Sequence, residues 1–151
     1  MKLAEALQER ADLNTRIEQL RVRIQNNSLV QEGEKPSEDP KALAKELDAC
    51  LERLEKLIAA INVTNCATKI DGVSLTELIA KKDVLKLRLS AYRDIIYSAS
   101  QSTYRARGTE IKIVPVVKAA EYQKKADELS KELWIVDNLI QQTNWQAELI
   151  Q

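Results

Sequence analysis

The segment KLAEALQERADLNTRIEQLRVRI (Lys2–Ile24) decides the fold, because its apolar residues recur at alternating spacings of three and four. The stripe consists of Leu3, Ala6, Leu13, Ile17, Leu20 and Ile24, with Arg10 interrupting it. Residues at this spacing line one face of a helix, and that face must be buried against other helices. The segment therefore predicts a long amphipathic helix with the heptad pattern of a coiled coil.

A second segment, LTELIAKKDVLKLRLSAYRDII (Leu75–Ile96), repeats this pattern seventy-two residues later, with Lys82 at the place of Arg10. Each of the two segments is followed by a further heptad stripe. The following stripes consist of Leu43, Leu47, Cys50, Leu54, Leu57 and Ile61, and of Tyr122, Ala126, Leu129, Leu133, Val136 and Ile140. These two align at an offset of seventy-nine, where INVTN (Ile61–Asn65) meets IQQTN (Ile140–Asn144). The pattern favours a duplicated αα-hairpin, although any two heptad helices align somewhere.

The predicted fold is all-α: an antiparallel four-helix bundle in one domain (1–151), built from two similar αα-hairpins. The hairpins cover residues 1–65 and 74–151, with helices starting near Lys2, at Pro40, after Ser74 and near Lys118. Asp39 before Pro40, and Ser74 three residues before Glu77, are helix N-terminal signals. The segment EIKIVPVV (110–117) alternates and is β-branched, which predicts a short strand or extended arm before the last helix.

Composition narrows the functional classes. The chain has 151 residues, and its 23 basic residues balance 23 acidic ones. A net charge of zero gives no general attraction to nucleic acid or to an anionic membrane, so we expect neither as a partner. No signal peptide or membrane-spanning run is visible, which predicts a cytoplasmic protein. Cys50 lies on an apolar stripe and Cys66 just past the predicted end of that helix, which disfavours a bridge between them.

Several loop and turn strings resemble one bacterial family. The strings are MKLAEALQERADLNTRIEQL, NNSLVQEGEKPSEDP, NVTN through DGVSLTELIAKKDVL, and TNWQAEL. The family consists of uncharacterised proteins, some of which carry the label septicolysin, and the resemblance covers nearly the whole chain. The label implies a toxin or haemolysin, but this sequence lacks the signal peptide, apolar insertion segment and positive charge of such proteins. The resemblance implies no catalytic residues.

The sequence contains few combinations of residues that are typical of catalytic sites. The chain has no histidine, which removes the commonest general base and most zinc and haem sites. No glycine-rich phosphate loop occurs, and we predict no cofactor. A carboxylate-metal enzyme using Glu5, Glu77 and Asp83 is an alternative, but Arg10 and Lys82 stand nearby and favour ion pairing instead.

Two groups of residues stand out as candidate interaction sites. Arg10 and Lys82 interrupt matched apolar stripes, either as snorkelling side chains or as a polar layer that sets register and oligomeric state. A possible interaction arm before the last helix comprises Tyr104, Arg105, Arg107, Ile111 and Ile113. The arm could pair with a second copy of the chain or bind RNA or DNA by stacking and phosphate contacts.

Taken together, these patterns predict a non-enzymatic helical-bundle protein that acts by self-assembly, as a dimer or larger homo-oligomer, or by binding a protein partner. A nucleic-acid-associated protein that uses the segment Tyr104–Arg107 is the main alternative. We also expect Trp134, beside the last apolar stripe, to lie in the core, and Trp145 to cover one end of the bundle or an interface.

Overall fold

Four long helices form the fold of the computed structural model, which describes residues 1–101 and 111–150. The helices are α1 (Leu3–Asn26), α2 (Pro40–Ala67), α3 (Leu75–Ala99) and α4 (Ala119–Gln146). Two cross-helix ion pairs show that α1 runs antiparallel to α2, and an ion pair and a contact between tyrosine rings show that α3 runs antiparallel to α4. The predicted all-α class, with two similar antiparallel hairpins, is confirmed.

The chain divides into two compact units, which are described separately below. The first unit comprises Met1–Ile70 together with Gln142–Gln151, and therefore contains α1, α2 and the last turn of α4. The second unit, Asp71–Gln141, contains α3 and most of α4. The single domain expected from the sequence stays a prediction.

Local signals set the helix starts. The Asp39 carboxylate accepts the backbone N–H of Lys41 and Pro40 occupies the first helical position, as expected for the start of α2. The Ser74 hydroxyl accepts the N–H of Glu77, whose carboxylate accepts the N–H of Ser74 in return. α1 shows half of this arrangement, because the Glu5 carboxylate accepts the N–H of Lys2 at 2.7 Å.

α2 continues further than the sequence analysis predicts. It extends to Ala67, and the N–H of Thr68 donates to the carbonyl of Thr64 at 2.8 Å beyond it. Cys66 therefore lies inside the helix and is exposed, so its predicted position past the helix end is wrong. The cause is local, since no glycine or proline stops the helix before Gly72.

A small hairpin connects α2 with α3. Strands β1 (Lys69–Ile70) and β2 (Val73–Ser74) pair across a turn at Asp71 and Gly72, which have φ values of +51° and +86°. Asp and Gly are residue types that tolerate this left-handed backbone.

The ends of the chain pair in the same way within the first unit. The N–H of Leu3 donates to the carbonyl of Ala147 at 2.9 Å, and the N–H of Leu149 donates to the carbonyl of Met1 at 2.8 Å. The Glu148 carboxylate also forms ion pairs with the Lys2 ammonium at 2.6 Å and with the Met1 amine at 3.3 Å. The offsets of seventy-two and seventy-nine map the Lys2–Glu148 bridge onto Ser74 and Lys69, so this ladder is the counterpart of the β1–β2 hairpin.

The core of the first unit follows the predicted stripes. Its buried apolar side chains are Leu3, Ala6, Ile17, Leu20, Leu43, Leu57 and Ile61. Leu54 lies on the same stripe of α2 but is only half-buried. Two ion pairs cross between α1 and α2, joining Glu9 to Arg53 and Arg16 to Glu46, and a third joins Arg23 of α1 to Glu38 in the loop before α2.

The core of the second unit also follows the predicted apolar stripes. Its buried apolar side chains are Leu75, Leu78, Leu85, Leu89, Ala126, Val136 and Ile140. The rings of Tyr92 and Tyr122 meet edge to face, with 5.4 Å between their centroids. Trp134 is 67% exposed, so its predicted place in the core is wrong. Its position falls beside the stripe, on the side of α4 that α3 does not cover.

One ion pair occurs in both hairpins with its charges exchanged. Lys81 of α3 pairs with Glu132 of α4 at 2.7 Å. The two offsets map these residues onto Glu9 and Arg53, which pair at 2.6 Å in the first hairpin. Equivalent positions therefore meet across both hairpins even where the residue types differ, which supports the duplicated hairpin.

Candidate functional site

One face of α2 leaves apolar side chains uncovered. Leu51, Leu54, Ile58 and Asn62, which together form what we call the α2 outer face, line a shallow groove on the surface of the first unit, together with Glu55 and Ala59. Leu51 is 44% exposed and Ile58 is 39% exposed. These positions follow a spacing of three and four along the helix, so they form a continuous strip.

The second hairpin shows that the fold does not require this strip to be apolar. The offset of seventy-nine maps Leu51 onto Ser130 and Ile58 onto Asp137. Asp137 accepts a hydrogen bond from Lys82 of α3, which is the main reason why the pKa of its carboxyl lies below the ordinary value. An apolar strip therefore distinguishes the first hairpin from the second at matched positions.

The two basic residues predicted as a polar layer differ in their surroundings. Lys82 is half-buried and forms an ion pair with Asp137. Arg10 is also half-buried, but no acidic group of residues 1–101 or 111–150 lies within ion-pair distance of it. This agrees with the sequence, because Ile58 stands where the second hairpin has Asp137. A role of Arg10 and Lys82 in register or oligomeric state stays a prediction.

The predicted arm is only partly visible. Tyr104, Arg105 and Arg107 lie outside the described residues. Ile111 and Ile113 are exposed, and the described residues 111–118 contain no strand, so the extended-arm alternative fits better than the predicted short strand. Apolar side chains exposed on such an arm are candidates for contact with another molecule.

Further structural features bear on the other predicted classes. In the part of the chain that the structure describes, no cluster of three or more Cys, Asp or Glu side chains is arranged to hold a metal ion. Within the same part, no helix combines the length and apolar character needed to cross a membrane. Trp145 is exposed at the end of α4, and whether it belongs to an interface stays a prediction.

The apolar stripes do not predict three buried polar residues. These are Thr64, Thr143 and Asn144, which all belong to the repeated strings INVTN and IQQTN. The Thr64 hydroxyl donates to the carbonyl of Ala60 at 2.7 Å and accepts the N–H of Ile150 at 2.9 Å. Thr64 thus binds the segment that follows α4. The match between the strings signals a structural role of this kind.

We expect the stability of the protein to fall as the pH drops below about 4.5. Hydrogen bonds from Arg53, Arg23 and Lys2 lower the pKa values of Glu9, Glu38 and Glu148 from their ordinary value of 4.5. A lowered pKa in the folded state means that ionisation of the carboxyl group stabilises the fold. This contribution is complete above the ordinary pKa and is lost as the pH falls through the folded value.

Thermal unfolding followed by circular dichroism from about pH 2 to about pH 6.5 measures this effect, because these limits lie about two units below and above the ordinary carboxyl pKa values. The combined variant Glu9→Gln, Glu38→Gln should show a shallower decline, and the decline should weaken at high salt because the pairs are exposed. A midpoint that rises on acidification would contradict the assignment.

Two antiparallel hairpins, each with a heptad core, define a class of all-α hairpin proteins. Residues 10–149 match the model of a family of unknown function, DUF6847, and the chain belongs to this family. A crystal structure of a functionally unknown conserved protein from Corynebacterium diphtheriae is similar to this chain, with 35% sequence identity and a TM-score of 0.92, and the match covers 99% of each chain. Comparison with curated proteins gives no match.

Proposed function

We propose that this protein is a non-enzymatic helical protein that acts by self-association through the α2 outer face. The observation that carries the proposal is the contrast between the hairpins, with Leu51 and Ile58 exposed where the second hairpin has Ser130 and Asp137. Exposed apolar side chains in a continuous strip are typical of a surface that becomes buried on binding.

The occupant that best fits the α2 outer face is α2 of a second copy. A two-fold axis near Leu54 would place Leu51 against Ile58 of the second copy and Ile58 against Leu51 of the second copy. With zero net charge, two copies also meet no long-range repulsion.

The arm before α4 is a second candidate contact in the same assembly. Its exposed side chains include Ile111, Val114 and Val116, the last of which is fully open to solvent. The label septicolysin, which belongs to some proteins that this chain resembles, adds nothing to the proposal, because no contact described above depends on toxin activity.

Sedimentation velocity at micromolar concentration tests the proposal. We expect a dimer or larger closed assembly for the unmodified protein and a monomer for the variant Leu51→Ser, Ile58→Asp. The two new residues are those that the second hairpin carries at matched positions, so the variant keeps residue types that the fold accepts. We expect the dissociation constant of the assembly to rise by about a hundredfold, because desolvating two new polar groups at an interface costs about 2 to 3 kcal/mol.

The matched control is Leu87→Ser, which removes an exposed leucine from α3 and leaves the α2 outer face unchanged. This control should sediment as the unmodified protein does, whereas Ile111→Ser with Ile113→Ser should weaken the assembly if the arm takes part. A monomer at every concentration for the unmodified protein, or equal behaviour of the α2 variant and the Leu87 control, would refute self-association through this face.

A further inference from the structure

A pocket on the surface of the first unit lies between α2 and the segment that follows α4. Its volume is about 500 Å³, within the range of about 300 to 1,000 Å³ that is usual for small-molecule sites in proteins. Most of its lining is apolar and includes Leu57, Ala60, Val63, Leu149 and Ile150. A pocket of this size and character can enclose an apolar chain.

Hydrogen bonds hold the wall that follows α4 in place. The N–H of Ile150 donates to the Thr64 hydroxyl of α2 at 2.9 Å. The N–H of Leu149 donates to the carbonyl of Met1 at 2.8 Å. Both sides of the pocket are therefore anchored within the first unit, so the pocket exists before a ligand binds.

The second hairpin shows that the fold does not require this pocket. Three of the lining positions carry residues that are smaller or more apolar than those at the matched positions. The offset of seventy-nine pairs Ala60 with Leu139, Val63 with Gln142, and Ile150 with Asp71. A leucine in place of Ala60 would occupy part of the pocket, and the other two residues would make its walls polar. The space and its apolar walls therefore distinguish the first hairpin at matched positions.

The pocket also contains a cation that the fold does not neutralise. Arg53 lines the pocket, but its Nε and Nη2 atoms already donate to the Glu9 carboxylate at 2.6 and 2.8 Å. Lys56 lines it as well, and no acidic side chain of the described residues, Glu52 of the preceding turn included, lies within ion-pair distance of its ammonium. The second hairpin has Ile135 at the matched position. A ligand in the pocket therefore meets one uncompensated positive charge.

The position of this charge along α2 sets the shape of the ligand. Lys56 precedes Val63 by seven residues, which corresponds to about 10 Å along the helix. Val63 stands next to Thr64, which binds the backbone of Ile150. The charge is thus near one end of the pocket, and the walls formed by Val63 and Ile150 are near the other. An anionic group at the end of an apolar chain of about 10 Å matches this arrangement.

We propose that this pocket binds a fatty acid of medium chain length. The carboxylate accepts a hydrogen bond from the Lys56 ammonium, and the chain lies over Ala60 toward Val63 and Ile150. The charge-assisted bond sets the orientation of the ligand, and burial of the methylene groups supplies most of the affinity. No lining residue of the pocket is changed in the self-association experiment, so the two proposals can fail independently.

Isothermal titration calorimetry with sodium octanoate, kept below its micelle-forming concentration, tests the proposal on the full chain. We expect saturable binding that tightens by up to about fourfold with each methylene group added between butanoate and octanoate. Lys56→Gln should weaken octanoate binding by about tenfold, because it removes the charged donor. Octanol, which lacks the carboxylate, should bind the unmodified protein more weakly than octanoate does.

Ala60→Leu is the variant that fills the pocket. Since the second hairpin has Leu139 at the matched position, we expect the thermal midpoint to change little while octanoate binding weakens by about tenfold or more. Lys45→Gln and Ala42→Leu are the matched controls, because they make the same changes at exposed positions of α2 outside the pocket. Both controls should bind octanoate as the unmodified protein does.

Four results would each overturn the proposal. The first is the lack of saturable octanoate binding to the unmodified protein, and the second is octanol binding as tightly as octanoate. The third is equal octanoate affinity of the Ala60→Leu variant and the Ala42→Leu control, which would place the ligand outside the pocket. The fourth is equal affinity of the Lys56→Gln variant and the Lys45→Gln control, which would remove the carboxylate contact.

Discussion

Replacing Leu57 with alanine is expected to lower the free energy of unfolding by about 2 to 5 kcal/mol. Leu57 lies in the middle of α2, on the face that packs within the first unit, and only 1% of it is exposed. Truncation removes buried apolar surface and leaves a cavity that the surrounding structure fills only in part. Urea unfolding followed by circular dichroism measures the change.

Two other leucines of α2 provide a graded comparison. Leu54, one turn earlier, is half-buried, and Leu51 is exposed on the α2 outer face. Their alanine variants should therefore cost progressively less than Leu57→Ala, measured at low protein concentration so that self-association does not contribute. Equal losses at the three positions, or a loss below about 0.5 kcal/mol for Leu57, would show that the burial described for α2 is wrong.

Replacing Thr64 with valine is expected to cost about 1 to 3 kcal/mol, although valine has nearly the same shape as threonine. Thr64 is completely buried, and its hydroxyl accepts the N–H of Ile150. The substitution leaves that N–H without its acceptor and loosens the segment after α4. Hydrogen exchange should show faster exchange at Ile150 and Leu149, and urea unfolding should show the lower stability.

Thr15→Val is the matched control for this prediction. The Thr15 hydroxyl also donates to the carbonyl four residues earlier, that of Ala11 at 3.2 Å, but it lies on an exposed face of α1. We therefore expect a change within about 0.5 kcal/mol for Thr15→Val. If both valine variants have the same small effect, the hydrogen bond to Ile150 does not stabilise the fold.

The helices and their starts were readable from the sequence because the signals are local. Heptad spacing identifies which face of each helix is apolar, and the Asp39–Pro40 and Ser74–Glu77 signals depend on residues within one turn. The extent to which each residue is buried could not be predicted in this way. Leu54 and Trp134 both lie on or beside a stripe, yet their exposure depends on how much of that stripe a neighbouring helix covers.

The candidate sites were harder to find because each depends on a comparison of equivalent positions. Ile58 is an ordinary heptad residue until it is matched with Asp137. The stripes did single out Arg10 and Lys82, but only Lys82 has an ion-pair partner among the described residues, namely Asp137.

The ladder between the chain ends has a consequence for protein engineering. Met1–Leu3 pair with Ala147–Leu149 in the same way as the two strands beside the Asp71–Gly72 turn pair with each other. The chain ends and this turn therefore occupy equivalent positions in the two hairpins. A circular permutant that joins the present ends through an Asp-Gly linker and opens at Gly72 would retain both ladders. If this permutant folds, the order of the two hairpins along the chain is not a requirement of the fold.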